Sequence, residues 1–356
     1  MTGQLYSHLK FVNFPDRLQA LREGRLAAPV HVRIKPVNRC NHNCWYCAYR
    51  YDDLQLGQDM VEQDVLPDAK MFEIVDDLVE MGVKAVTFSG GGEPLLYRKM
   101  PEVIERLAQG GIAIAALTNG SALSGRVAEA FARHGTWIRI SIDAWDDESY
   151  AIGRRIKHGE FSRVIDNMRN FTRSGTRCVL GISFIVTKDN YAHIPEVCAL
   201  FKSAGANHVS LSGVVVDNDG RTNNAYHAPF YAEVARKIAD VQEHLVDSTF
   251  RITNYYHEIE ERFEKPYHFC PFQQFQTIIG ADAMVYSCHD KAYTARGALG
   301  SIKDRSFKDF WFSPECRDKV WAIDPARDCR HHCVAHKRNL MMTELLALDP
   351  DHAAFV

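Results

Sequence analysis

The sequence predicts an α/β protein: a partial (β/α)6 TIM-type barrel followed by a small C-terminal module built from a β-hairpin plus helix. Three observations carry this expectation. Short β-branched runs alternate with longer amphipathic stretches from Val30 to about Gly213, the pattern of repeated strand-helix units around a parallel sheet. Chemically unusual residues fall at the C-terminal ends of those runs in unit after unit, which is the end where such barrels build their active sites. After about Tyr255 the pattern changes to shorter segments, more aromatic residues and the cysteines Cys270, Cys288, Cys316, Cys329 and Cys333.

The six expected strands are Val30 to Ile34, Ala85 to Ser89, Ala113 to Leu117, Trp137 to Ile142, Val179 to Val186 and His208 to Leu211. Apolar residues at helical spacing predict helices over Lys70 to Met81, Met100 to Ala108, Val127 to His134, Phe161 to Arg173, Ile194 to Ala204 and Tyr231 to Leu245. The rim then collects a cysteine loop after the first strand, Gly90 to Pro94 after the second and Thr118-Asn119-Gly120 after the third. Ser141 and Asp143 close the fourth, Thr187 to Asn190 follow the fifth, and Ser212-Gly213 follow the sixth. The expected divisions are an N-terminal extension over 1–29, the barrel over 30–250 and the tail module over 251–356. No Pro-rich or Gly/Ser-rich linker precedes the module, so the two parts are expected to pack together.

The chain has 356 residues, 46% apolar and 24% charged, an ordinary globular balance. A net charge of −3 provides no basic field for duplex nucleic acid, so no nucleic-acid partner is expected. The polar, mixed-charge stretch Met1 to Gly24 lacks the form of a signal peptide, and no apolar run approaches a membrane span. A cytoplasmic protein without membrane partners is expected. Ten cysteines in a large chain of that kind point to metal or redox cofactors rather than disulfides.

The sharpest local feature is Cys40-x3-Cys44-x2-Cys47, with Tyr46 just before the last cysteine. Four-iron clusters normally take four thiolates, so three in a tight group with no nearby fourth leave one iron without a protein ligand. A loop suits this, because neither helix nor strand lets three thiolates converge on one cube. Structural zinc wants four ligands, and His42 could complete such a set. At the end of the second strand, Gly91-Gly92-Glu93-Pro94 places a carboxylate, suited to a positive amine, in backbone that glycine lets approach a ligand closely.

The cysteine spacing resembles the signature of the radical S-adenosylmethionine (radical SAM) superfamily, and Gly91-Gly92-Glu93-Pro94 is similar to that family's second motif. The resemblance implies a 4Fe-4S cluster on Cys40, Cys44 and Cys47, with SAM chelating the open iron. Reductive cleavage of SAM then gives methionine and a 5′-deoxyadenosyl radical. It further implies that Gly91, Gly92 and Glu93 meet the SAM ammonium. Asn119, Ser141 and Asp143 match positions reaching its carboxylate or ribose, Arg154 or Arg155 resembles an arginine that pairs with the carboxylate, and Tyr46 flanks the adenine. On the residues alone, Ser141 or Asp143 could equally be a helix N-cap.

In the tail, Cys270 and Cys288 bracket 17 residues that read as a β-hairpin, and Cys329-Arg330-His331-His332-Cys333 follows. Four such cysteines fit either a zinc ribbon or an iron-sulfur cluster. The pattern resembles the twitch form of the SPASM family, which implies one auxiliary 4Fe-4S cluster on Cys270, Cys288, Cys329 and Cys333. Cys316 is expected to be a free thiol, and Cys178 and Cys198 structural hydrophobes.

The resemblance implies a radical SAM oxidoreductase: hydrogen abstraction from a small molecule, favoured as oxidation of a carbohydrate or aminocyclitol hydroxyl, with the auxiliary cluster as electron acceptor. A flavodoxin- or ferredoxin-type donor would reduce the first cluster. The alternatives are ribosomal-peptide modification, a sugar epimerase or dehydratase, and a non-catalytic iron-sulfur protein. Fewer than about 30 residues precede the first strand, too few for an independently folded leader-recognition domain, which favours a small substrate. His289 and Asp290, beside Cys288, are expected candidates for the proton acceptor, with His257, Tyr255 and Tyr256 behind them.

Overall fold

A computed structural model describes residues 6–50, 57–257, 263–352 and 355. The ten strands are β1 His31–Ile34, β2 Ala85–Phe88, β3 Ala113–Thr118, β4 Gly135–Ser141, β5 Val179–Val186, β6 His208–Gly213, β7 Arg251–Tyr255, β8 Gln276–Ile279, β9 Met284–Tyr286 and β10 Ala298–Ser301. They form one sheet in the order β10-β9-β8-β1-β2-β3-β4-β5-β6-β7. From β8 through β1 to β7 every pairing is parallel, and β8-β9-β10 is antiparallel. The six expected strands and the partial barrel are therefore present.

Helix α1 Pro15–Arg22 precedes the barrel, and α2 Asp68–Glu80, α3 Met100–Gln109, α4 Gly125–His134, α5 Asp147–Arg154, α6 Glu160–Arg173, α7 Ile194–Ser203, α8 Gly220–His227 and α9 Tyr231–Leu245 belong to the barrel portion. The tail adds α10 Phe307–Trp311, α11 Pro314–Ala322, α12 Pro325–Asp328 and α13 His336–Ala347. Each long barrel helix presents one apolar stripe to the sheet. For α3 the buried residues are Met100, Val103, Ile104 and Leu107, at the i, i+3, i+4, i+7 spacing of one helix face.

Period-two alternation divides each strand between two environments. Val32 and Ile34 in β1 and Ile138 and Ile140 in β4 are fully buried in the main apolar core, while Arg33 and Arg139 fall on the opposite face, which lines the barrel lumen. Sequence periodicity identified the strands but did not reveal how polar that inner face is.

The expected tail hairpin exists as β8-β9, but it does not stand apart. β8 pairs in parallel with β1, with His31 opposite Gln276 and Ile34 opposite Ile279, so the hairpin extends the barrel sheet. At the other edge β7, absent from the sequence expectation, pairs with β6. The N-terminal segment joins the tail as well: Phe11 and Leu21 pack with Val30, Phe275 and Met342 in a second apolar cluster. Among the described residues, no helix is long and apolar enough to cross a membrane.

Candidate radical SAM and iron-sulfur sites

The cysteine loop leaves β1 and is held from two sides. The carbonyls of Gly153 and Arg154, at the end of α5, accept hydrogen bonds from the backbone N–H of Trp45 (3.4 Å) and Asn43 (2.9 Å). A helix C-terminus has unsatisfied carbonyls to offer, and here the loop carrying Cys44 takes them. On the other side the glycine turn presses against the chain just before Cys40. A Cβ on Gly92 would lie 2.1 Å from the Arg39 carbonyl oxygen, and one on Gly91 would lie 2.3 Å from Asn38 Oδ1. Only glycine permits that approach.

Glu93 is buried, and its carboxylate accepts from Thr118 Oγ1 at 2.6 Å, the Asn119 backbone N–H at 2.7 Å and the Leu95 N–H at 3.0 Å. Burial pushes its pKa up, while the Asn119, Thr118 and Leu95 hydrogen bonds pull it back. The Asn119 side chain donates to Asn41 Oδ1 at 2.9 Å and lies 3.9 Å from the Cys40 sulfur. Ser141, Asp143 and Arg154 come together at the end of β4. Arg154 forms a buried ion pair with Asp143, donates to the Ser141 carbonyl at 3.0 Å and lies 3.1 Å from the Cys44 sulfur. Its guanidinium also sits 5.5 Å from the Tyr46 ring centroid. Arg155, the other arginine considered, is instead the left-handed C-cap of α5. The N-cap alternative applies to neither Ser141 nor Asp143, because α5 is capped by Asp146 through a capping box with Ser149.

The four tail cysteines lie near enough to act on one another electrostatically. Burial pushes the Cys288 thiol well up, and Asp290, Cys329, Cys333 and Cys270 all act on it in the same direction. Asn339 donates to the Cys270 sulfur at 3.3 Å. Burial likewise raises Cys40 to about 11 and Cys333 to about 12. Burial alone raises the structural Cys178 and Cys198 in the same way, so what fits an iron-sulfur cluster is the grouping of several thiols at each set. Cys316 lies apart, in the apolar core with Phe307, Phe310, Trp311 and Val320, where burial raises it to about 12. Cys178 and Cys198 are buried in the barrel core.

His289 and Asp290 separate. His289 turns to the lumen side, with Nδ1 3.4 Å from the Tyr49 hydroxyl. Asp290 turns to the cysteine side, where its ligand-type atom lies within 4.8 Å of those of Cys288 and His331. Of the other proton-acceptor candidates, Tyr256 bonds His227 Nδ1 at 3.0 Å, and His257 lines a cavity beyond β6 with His227 and Tyr231.

Lys35 is a site residue that the sequence pattern does not single out. Lys35 has no exposed surface, and its ammonium donates to the Gly90 carbonyl and the Tyr49 hydroxyl, both at 2.6 Å, with the Tyr49 ring centroid 4.4 Å away. It ties the end of β1 to the glycine turn. The available signal was a lysine in an apolar strand just before Pro36, a place where an unpaired charge would be costly.

A partial parallel barrel with three thiols and a glutamate-bearing glycine turn on one rim defines the class of radical SAM proteins, and the chain belongs to that superfamily: the Radical SAM superfamily model matches residues 34–197. Within it, this is a member with a C-terminal SPASM region, described as an iron-sulfur cluster-binding domain, which matches residues 270–334. The two domains carry the SAM-binding 4Fe-4S cluster and the auxiliary iron-sulfur site.

The S-adenosylmethionine-dependent nucleotide dehydratase of Lacinutrix mariniflava is 34% identical over 159 residues, 43% of this chain and 32% of its own length. The PqqA peptide cyclase of Gluconobacter oxydans is 24% identical over 85% of this chain and 82% of its own. Streptococcus suis SuiB bound to the precursor peptide SuiA superposes with a TM-score of 0.65 at 15% identity, covering 94% of this chain and 79% of that one. At that identity the likeness is one of fold. The chain spans about a third of the dehydratase and most of the cyclase.

Proposed function

We propose that this protein is a radical SAM oxidoreductase that abstracts hydrogen from a small polar substrate held in the barrel lumen, with oxidation of a carbohydrate-type hydroxyl as the leading reaction. The observation that carries this is the chain Lys35–Tyr49–His289. It sets a residue next to Cys288 against the loop that follows Cys47, which supports a lumen reached from both cysteine sets.

Cys40, Cys44 and Cys47 would hold the first 4Fe-4S cluster, with Gly91, Gly92, Glu93, Asn119, Ser141, Asp143, Arg154 and Tyr46 around SAM. When bound and reduced, that cluster supplies the electron that breaks the SAM sulfonium C–S bond to yield the 5′-deoxyadenosyl radical. Glu93 would orient the SAM ammonium, and Asn119 and Arg154 hold the loop sulfurs from two sides. Cys270, Cys288, Cys329 and Cys333 would hold one auxiliary 4Fe-4S cluster, the acceptor for a substrate electron. His289, on the lumen side and held neutral by burial, and Asp290, on the cysteine side, are the candidate proton acceptors. A flavodoxin- or ferredoxin-type donor and a cytoplasmic setting belong to the same reading.

Peptide modification is the second reading. It is favoured by the likeness to the PqqA peptide cyclase across most of both chains. Anaerobic reconstitution with iron and sulfide, followed by dithionite and SAM, tests the shared core: 5′-deoxyadenosine is expected, and its absence from cluster-loaded protein would sink both readings. Product analysis with candidate sugars and peptides then separates them.

A further inference from the structure

The lumen face of the barrel carries two arginines, Arg33 and Arg139, that have no salt-bridge partner among the described residues. Arg33 on β1 stands opposite Thr87 and Ile278, and Arg139 on β4 opposite Leu117 and Gly181. Among the described residues, neither guanidinium makes a hydrogen bond or a salt bridge, and both Nε atoms are buried without a partner. Lys35 lies one pleat beyond Arg33 on the same face. Around them the hydroxyls of Ser89 and Ser210 are also buried without partners.

Two arginines do not collect in one lumen for their own stability. Burial pushes Arg33 down to about 10, and Arg139 is the next cause in the same direction. The groups that oppose it are Tyr49 and Asp290, and Asp290 lies among Cys288 and His331. Yet both arginines keep some exposed surface, so solute can reach them. Partly accessible guanidiniums with unspent donors, beside unspent hydroxyls, match the planar, forked recognition of oxyanions.

We propose that Arg33 and Arg139 bind an oxyanion of the substrate, a phosphate or a carboxylate, inside the barrel. This deepens the reading of the lumen as the substrate site and rests on it. An acidic or phosphorylated substrate then replaces a neutral or amino-bearing sugar as the expected class.

The test is calorimetric titration of the anaerobically reconstituted full-length protein with inorganic phosphate, glucuronate and glucose. Phosphate or glucuronate is expected to bind and glucose not, and which anion binds more tightly distinguishes the two chemistries. Arg33→Gln and Arg139→Gln should each weaken anion binding roughly ten- to hundredfold, the loss of a charged hydrogen-bonding group, with Arg139→Lys weakened less. Relief of like-charge repulsion should leave the Tm of both variants in anion-free buffer at or above that of the parent. Binding of glucose as tight as that of the anions, no anion binding at all, or unchanged affinity in both Gln variants overturns the proposal. A lowered Tm together with unchanged affinity would make the arginines structural. The titration needs no SAM turnover, so a failure to form 5′-deoxyadenosine would count against the radical reading alone.

Discussion

The Arg154 guanidinium lies between the Cys44 sulfur, 3.1 Å away, and the Asp143 carboxylate, with which it forms a buried ion pair. One side chain from the end of α5 thus fixes both the cysteine loop and the end of β4. Breaking a buried pair from one side strands the other charge, at about 3–5 kcal/mol. Arg154→Met is expected to lower stability by that order, and Asp143→Ala/Arg154→Met by less than the sum of the single changes. Chemical denaturation of the four proteins checks this, and additive losses would show that the pair is not coupled.

Iron should divide evenly between the two cysteine sets. With about eight irons for two 4Fe-4S clusters, a Cys40/Cys44/Cys47 triple alanine variant should retain about four and form no 5′-deoxyadenosine. Iron and sulfide assay checks the division. About four irons plus one zinc in the parent protein would instead identify the tail as a zinc site.

Asn339 donates to the Cys270 sulfur at 3.3 Å, and hydrogen bonds to cluster sulfurs stabilise the more reduced state. Asn339→Leu should lower the reduction potential of the auxiliary centre and leave that of the Cys40 set unmoved. Redox titration followed by EPR reads both, and an equal shift in the two centres would contradict the assignment.

Gly181 allows the His208 ring to lie across β5, because a Cβ there would stand 2.2 Å from the ring atoms Cε1 and Nε2. Gly181→Ala should cost about 1–3 kcal/mol as an overpacking change. In a His208→Ala background most of that cost should vanish. Denaturation midpoints decide it, and a full penalty in both backgrounds would place the clash elsewhere.

Burial depresses His31 to about 3 and His208 to about 4, helped by Arg33 at the first and Arg139 at the second. Both stay neutral in the folded protein while the unfolded chain takes up protons near pH 6.5. The unfolded state then binds more protons, so stability falls as pH drops below about 6.5 and levels off only near those depressed values. A His31→Gln/His208→Gln variant should lose less stability between pH 7.5 and 6 than the parent. Urea midpoints across that range provide the measurement, and parallel slopes would exclude these histidines as the cause.

Much of the site could be read from linear spacing because its parts are local. Cys40, Cys44 and Cys47 lie within eight residues of one another, and Gly91-Gly92-Glu93 is a single turn. Lys35 and the partner of Asn41 lie outside any local pattern because their meaning depends on residues far along the chain: Gly90 for Lys35 and Asn119 for Asn41; Thr118 is legible as a rim residue, but its hydrogen bond to Glu93 is not. Helix α5 was missed too, although its Asp146/Ser149 capping box was present; the short segment has no long apolar repeat to announce it.

From the sequence by itself came the six strand-helix units, the three-thiol loop and the four tail cysteines, since hydrophobic period and ligand spacing are properties of neighbouring residues. The tertiary structure alone decided that β8 pairs with β1, that His289 faces the lumen while Asp290 faces the cysteines, and that Arg33 and Arg139 share an interior where, among the described residues, neither has a salt-bridge partner. Those facts depend on sheet register and closure. These bring residues more than a hundred positions apart into one electrostatic environment, and no local pattern records that.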